Sequence, residues 1–161
     1  MAKILEFLTV NIAARDGSSV AAKYRSFGLS ALPAFPMPDP PAEIVDVTLP
    51  IGEQGAVSII SPTGPGSPVQ RFIDRKGEGV YSIAVRVDDL EAAMKEWPDV
   101  QWVLPKPYEF SSGNPAARYV PEKLRVNWIK PLSLHGVMLE CFEFIGKVEL
   151  HSTDYPGAKL A

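Results

Sequence analysis

Short runs of β-branched and aromatic residues, broken by glycine and proline, fill most of the chain. The run from Ile4 to Ala13 predicts a strand. Ser18 or Ser19 is placed to cap a helix reaching about Phe27, with Gly28 as its stop. Pro33 to Pro41 holds five prolines in nine residues. With so few backbone donors it predicts a surface loop. Strands follow at Ile44–Leu49 and Ala56–Ser61, joined by the turn Gly52-Glu53-Gln54-Gly55. Val69–Arg75 places Val69, Phe72 and Ile73 on one helical face.

From Gly79 the order begins again. Val80–Val87 predicts a strand, and Asp88 or Asp89 caps a helix to about Trp97, which Pro98 ends. Val100–Leu104 predicts a short strand, followed by a loop rich in Pro, Ser and Gly up to about Pro115. Arg118–Val120, Arg125–Ile129 and Val137–Phe144 predict the remaining strands. The whole predicts an α+β domain of two βαβββ units. Unit one spans about 4–62, a linker helix about 68–76, unit two about 79–145, and a partly mobile tail 146–161. Phe7-Leu8-Thr9-Val10-Asn11-Ile12 aligns with Ser82-Ile83-Ala84-Val85-Arg86-Val87, and Ala56-Val57-Ser58-Ile59 with Met138-Leu139-Glu140-Cys141. Two such curved, mixed sheets packed about a pseudo-two-fold axis enclose a cleft suited to a small molecule.

Composition narrows the setting. A hydrophobic share of 46% and a charged share of 22% fit a globular protein of 161 residues. Net charge is −3 and the basic residues are scattered, so no nucleic-acid footprint is expected. No stretch is long and apolar enough for a membrane helix, and no signal peptide is read at the N-terminus. The one cysteine, Cys141, sits in an apolar run, which fits a reducing, cytoplasmic location.

Several segments resemble a known superfamily. The run Gly77-Glu78-Gly79-Val80-Tyr81-Ser82-Ile83-Ala84-Val85-Arg86-Val87-Asp88-Asp89-Leu90-Glu91-Ala92-Ala93 resembles the second-unit opening of vicinal oxygen chelate proteins. These include glyoxalase I, extradiol dioxygenases, bleomycin-resistance proteins and methylmalonyl-CoA epimerase. Ser67-Pro68-Val69-Gln70-Arg71-Phe72, Asn127-Trp128-Ile129-Lys130-Pro131 and Gly136-Val137-Met138-Leu139-Glu140 are similar to epimerase segments in particular. The resemblance implies a glyoxalase-like fold, a homodimer, and a divalent metal held by one residue from each of four strands.

Those four positions align here with Phe7, Ser58, Ser82 and Glu140. Only Glu140 keeps a strong donor, because phenylalanine has no lone pair and neutral hydroxyls bind zinc-like ions poorly. No metal and no other cofactor is expected. The epimerase's second catalytic glutamate aligns with Val45, with Glu43 and Asp46 beside it; a one-residue slip would restore an acid and exchange the faces.

Glu140 is the candidate catalytic residue. By alternation it shares a face with Met138 and Phe142, and in an apolar pocket its pKa would rise towards that of a general acid/base. Phe7, Ser58, Ser82, Tyr81, Met138 and Phe142 are the candidate pocket lining. Phe7 and the two serines read equally well as core fill, and Tyr81 as packing on the opposite face unless the register slips. Asn11 and Arg86 read as strand ends or as an anion site, the former reading leading. His135 lies in a turn and His151 in the tail. Two functions stay open: metal-independent proton transfer on a small carboxylate or acyl-thioester, as in epimerases and isomerases, or non-catalytic binding and sequestering of a small molecule. A remodelled metal site using Glu140 and His135 is a third, minor reading.

Overall fold

The computed structural model describes residues 1–111 and 113–151. The chain opens with β1 (Ile4–Ala13) and α1 (Gly17–Arg25), followed by β2 (Phe35–Met37), β3 (Ile44–Ile51) and β4 (Gly55–Pro62). Helix α2 (Pro68–Lys76) links to β5 (Gly79–Val87) and α3 (Leu90–Glu96). Strands β6 (Tyr108–Phe110), β7 (Tyr119–Ile129) and β8 (Leu139–Leu150) complete the described part. The architecture is α+β, an eight-stranded sheet curled into a half-barrel in the order β2-β3-β4-β1-β5-β8-β7-β6.

That order reads outwards the same way from its centre. β1 pairs with β4 in parallel and β5 pairs with β8 in parallel. The antiparallel pairing of β1 with β5 joins the halves into one sheet rather than two. The inner strands then have a helix-packed face and a face on the cleft. On the covered face α1 packs Ala21 onto Leu49 and Ile59, while α3 packs Leu90 onto Val85, Ile129 and Cys141. Helix α2 packs Val69 and Ile73 onto Ala13 and Ile60.

Several local expectations change. Asp16, not Ser18 or Ser19, caps α1; its carboxylate accepts from the Ser19 amide. Asp89 caps α3 in the same way, through Ala92. The proline-rich loop contains strand β2, with Pro36 opposite Val45. An edge strand tolerates proline because one row of its amides has no partner strand. The short strand expected at Val100–Leu104 is a single bridge, Trp102 to Ile129, and the edge strand is instead β6, inside the expected loop. The separate strands Arg118–Val120 and Arg125–Ile129 are one strand, β7, running through Pro121. A bulge there places an extra residue on β8, where Gly146 adopts φ 76°. Strand β8 therefore extends through residues expected to be tail; 152–161 lie outside the described residues.

The sheet–helix core carries the stability. Ile59→Ala, at a side chain with 0% exposure, should cost about 2–5 kcal/mol in urea unfolding. Phe27→Ala, at a residue 70% exposed, should stay within about 0.5 kcal/mol.

Candidate active site in the half-barrel cleft

Alternation along the strands sends one polar set to the open face. Register then lines the set up across the sheet. Thr48 of β3 lies opposite Ser58 of β4, Ser58 opposite Asn11 of β1, and Asn11 opposite Ser82 of β5. One step along, Glu140 of β8 sits between Ala84 of β5 and Trp128 of β7. The small Ala84 leaves space beside the carboxyl group. The cleft above has a volume of about 470 Å³, within the range that holds a drug-sized ligand.

Asn11 ties the centre together. Its Nδ2 donates to Glu140 Oε2 at 2.7 Å and to Ser82 Oγ at 2.8 Å. Its Oδ1 accepts from Thr9 Oγ1 at 2.7 Å, which sets the orientation of the amide. On the other flank the Thr48 and Ser58 hydroxyls are 2.9 Å apart, and Thr48 Oγ1 donates to Asp46. Asp46 is two residues before Thr48 on β3, so it faces the same cleft.

Both acids hold protons more tightly than usual. Burial pushes Glu140 up to about 7; hydrogen bonds from Trp128 and Asn11 oppose this, and the charge of Asp46 adds to it. Burial likewise pushes Asp46 up to about 6, against hydrogen bonds from Ser58 and Thr48. Tyr81 is raised to about 12 by burial and by Glu140. The cleft thus holds two carboxyl groups able to exchange protons near neutral pH, a requirement for acid–base work.

Of the residues singled out from sequence, Glu140, Ser58, Tyr81 and Phe142 line the cleft, and Ser82 lies buried beneath it with its hydroxyl on Asn11. Phe7 does not line it. A bulge between Phe7 and Thr9 adds a residue to β1 and breaks the alternation, leaving Phe7 42% exposed against Gly55. A second irregularity, between Asn11 and Ile12, sets Ser82 and Val80 of β5 against adjacent β1 residues. It lets Tyr81 reach the cleft, where its ring meets Phe72 edge-on. Met138 precedes the first residue of β8 and is not among the lining residues, because strand alternation does not extend to it. His135 sits exposed in the turn at φ 51° and does not line the cleft. Arg86 pairs with Glu6.

Asn11 is 6% exposed and central, not a free strand end. Thr48, Trp128 and Arg118 also line the cleft and were not singled out by sequence. Asp46 was named only as the neighbour of Val45; the alternation Asp46-Val47-Thr48-Leu49 is the signal that places it on the polar face.

Fold and cleft together define a glyoxalase-type half-barrel with an open cleft. The profile of the glyoxalase/bleomycin resistance protein/dioxygenase superfamily matches residues 10–117, and the chain belongs to that superfamily. Solved structures agree on the fold. Methylmalonyl-CoA epimerase from Streptomyces coelicolor, in complex with 2-nitronate-propionyl-CoA, superposes with a TM-score of 0.73 at 20% identity, covering 89% of this chain and 100% of that one. The Mycobacterium tuberculosis epimerase gives 0.72 at 22% identity, covering 89% and 90%. A hypothetical protein from Bacillus halodurans C-125 gives 0.71 at 26% identity, covering 91% and 96%. No curated protein matches the chain by sequence.

The raised acids make stability depend on pH. The folded protein holds protons that the unfolded chain, with ordinary values of 3.8 and 4.5, releases. Stability should therefore be greatest below that range and fall as pH rises through about 6 and about 7. Glu140→Gln should flatten the fall, by on the order of 2 kcal/mol between pH 4 and pH 8 in urea titrations. Asn11→Ala removes a donor to the carboxylate, so the Glu140 midpoint should move above its present value in a carbon-13 carboxyl titration.

Proposed function

We propose that this protein catalyses a proton transfer next to a carbonyl group, of the epimerase or isomerase kind, on a small carboxylate or acyl-thioester. The observation that carries this reading is the pairing of Glu140 and Asp46 in one cleft, with pKa values near 7 and near 6. In the reading, Glu140 as carboxylate removes the proton on the carbon beside the carbonyl. Asn11 and Trp128 hold its carboxyl group in place. When substrate is bound, the Ser58 hydroxyl turns from Asp46 to donate to the substrate oxygen as negative charge develops there. Asp46 in its protonated form returns a proton from the other flank, which completes an inversion; in the reverse direction, which starts from the ionisation state the two values favour, the Asp46 carboxylate takes the proton and protonated Glu140 returns one. The acyl-thioester part of the reading draws on the epimerases that share the fold. A homodimeric, cytoplasmic setting goes with the same likeness.

The divalent metal implied by the superfamily does not suit the residues present. Asn11 points an amide NH₂, a donor, between Ser82 and Glu140, where a cation needs lone pairs. Among the described residues no three His, Cys, Asp or Glu side chains are grouped to hold an ion. The reading is therefore metal-independent.

One observation favours a second reading, ligand sequestering without chemistry. Phe35, Phe110, Phe142, Phe144 and Trp128 supply aromatic surface to the cleft, as a binding protein for hydrophobic compounds requires.

Proton NMR in deuterium oxide separates the two. Wild-type protein should wash out the α-proton of at least one member of a panel of branched acyl-CoA thioesters and α-substituted carboxylates. Glu140→Gln should slow this by about 10²–10⁴-fold, and chelator should leave it unchanged. The rate should peak between about 6 and about 7, where one acid is ionised and the other is not. Binding of panel members without any exchange would establish the second reading instead.

A further inference from the structure

The cleft has a second chemical end, away from its acids. Arg118 lies immediately before β7 and lines the cleft. Its guanidinium carbon is 5.2 Å from the centroid of the Tyr119 ring. Arg86 shares that ring at 5.7 Å and lies 4.7 Å from the centroid of Phe144, so two cations meet one aromatic wall. Glu6 supplies the negative charge of this corner, and it is already engaged. It accepts from Arg86 Nη1 at 3.2 Å and from the Tyr119 hydroxyl at 2.7 Å. Glu149, opposite Val120 on β8, pairs with His151 at 3.0 Å.

Arg118 is left over. Among the described residues it forms no ion pair, and its Nε is buried without a hydrogen-bond partner. A guanidinium donor shielded from water and left without an acceptor costs free energy. An acceptor brought by a ligand would remove that cost. The planar guanidinium fork matches a carboxylate through two parallel hydrogen bonds.

The stretch between the two ends is apolar. Phe142 and Phe144 follow Glu140 on the same face of β8, and Phe144 meets Tyr119 at 5.4 Å between centroids. At a strand's rise, four residues from Glu140 to Phe144 span about 13 Å.

We infer that the cleft takes an amphipathic monocarboxylate, its carboxylate on Arg118 and its apolar body along Phe144 and Phe142, with a far end that carries the reacting carbonyl at Glu140. The placement of that far end rests on the proton-transfer reading; the carboxylate preference does not. Arg118 is then a specificity-determining residue, and a longer ligand is selected over a two- or three-carbon acid.

Calorimetric titration of the full chain with phenylvalerate, phenylvaleramide and phenylbutyl phosphate tests this. Wild type should bind the acid about tenfold or more tightly than the amide, the contribution of hydrogen bonds to a charged group. Arg118→Gln should bring the two to equal affinity by weakening the acid alone, and unchanged amide binding would show that the variant is folded. Arg118→Lys should keep part of the preference. Equal binding of acid and amide by wild type would overturn the inference. So would a preference that survives Arg118→Gln, tighter binding of the phosphate, or no binding of the acid at millimolar concentration. Acid-selective binding without proton exchange in any panel member would sink the catalytic reading alone, and exchange without acid selectivity would sink this one alone, so the two failures are distinguishable.

Discussion

The cleft depends on the register of one strand. β1 is held in parallel by β4 and antiparallel by β5, and the two ladders together place Asn11 opposite both Ser58 and Ser82. From there the Asn11 amide reaches Glu140, which hangs from β8 beyond β5. A shift of β1 by one residue would turn Asn11 towards the helices and bring Ile12 into the cleft. The bulge after Phe7 and the irregularity at Tyr81–Ser82 fix the register on either side of the functional stretch. Because β1 and β5 also join the halves of the sheet, the pairing that makes one half-barrel is the one that assembles the site.

The polar chemistry is laid out along a gradient. At one flank Asp46, Thr48 and Ser58 form a hydrogen-bonded group, at the centre Asn11 bridges Ser82 and Glu140, and beyond lies an aromatic wall ending at Arg118. Burial raises both acids because a carboxylate loses more than a carboxylic acid when water is withdrawn. Hydrogen bonds from Trp128, Asn11, Ser58 and Thr48 hold the values near neutrality instead of letting them climb further. The same low-polarity surroundings raise the cost of leaving the buried Arg118 Nε without an acceptor.

Much of the fold was legible in the chain. Strand β1 begins and ends where its β-branched run does, and the stops at Gly28, Gly77 and Pro98 follow from backbone chemistry that does not depend on packing. Glu140 stood out for the same local reason: a charge in an apolar strand needs a purpose. Apart from the cap at Asp16, the misses were at places where pairing overrides local preference. Proline-containing segments around Pro36 and Pro121 became strand because a sheet edge and a bulge tolerate the missing donor. Phe7 left the cleft because a bulge, invisible in composition, reversed its face.

By itself, then, the sequence determined an α+β chain of repeated strand and helix order, the covered faces of its strands, and the acid Glu140 on the apolar face of the last of them, since these follow from propensity and alternation within each segment. The tertiary structure alone decided that Asn11, Asp46, Trp128 and Arg118 share a cleft with that acid. They come from β1, β3 and β7 with the residue just before it, far apart in the chain, and only inter-strand register, set by cooperative backbone hydrogen bonding, determines which side chains meet.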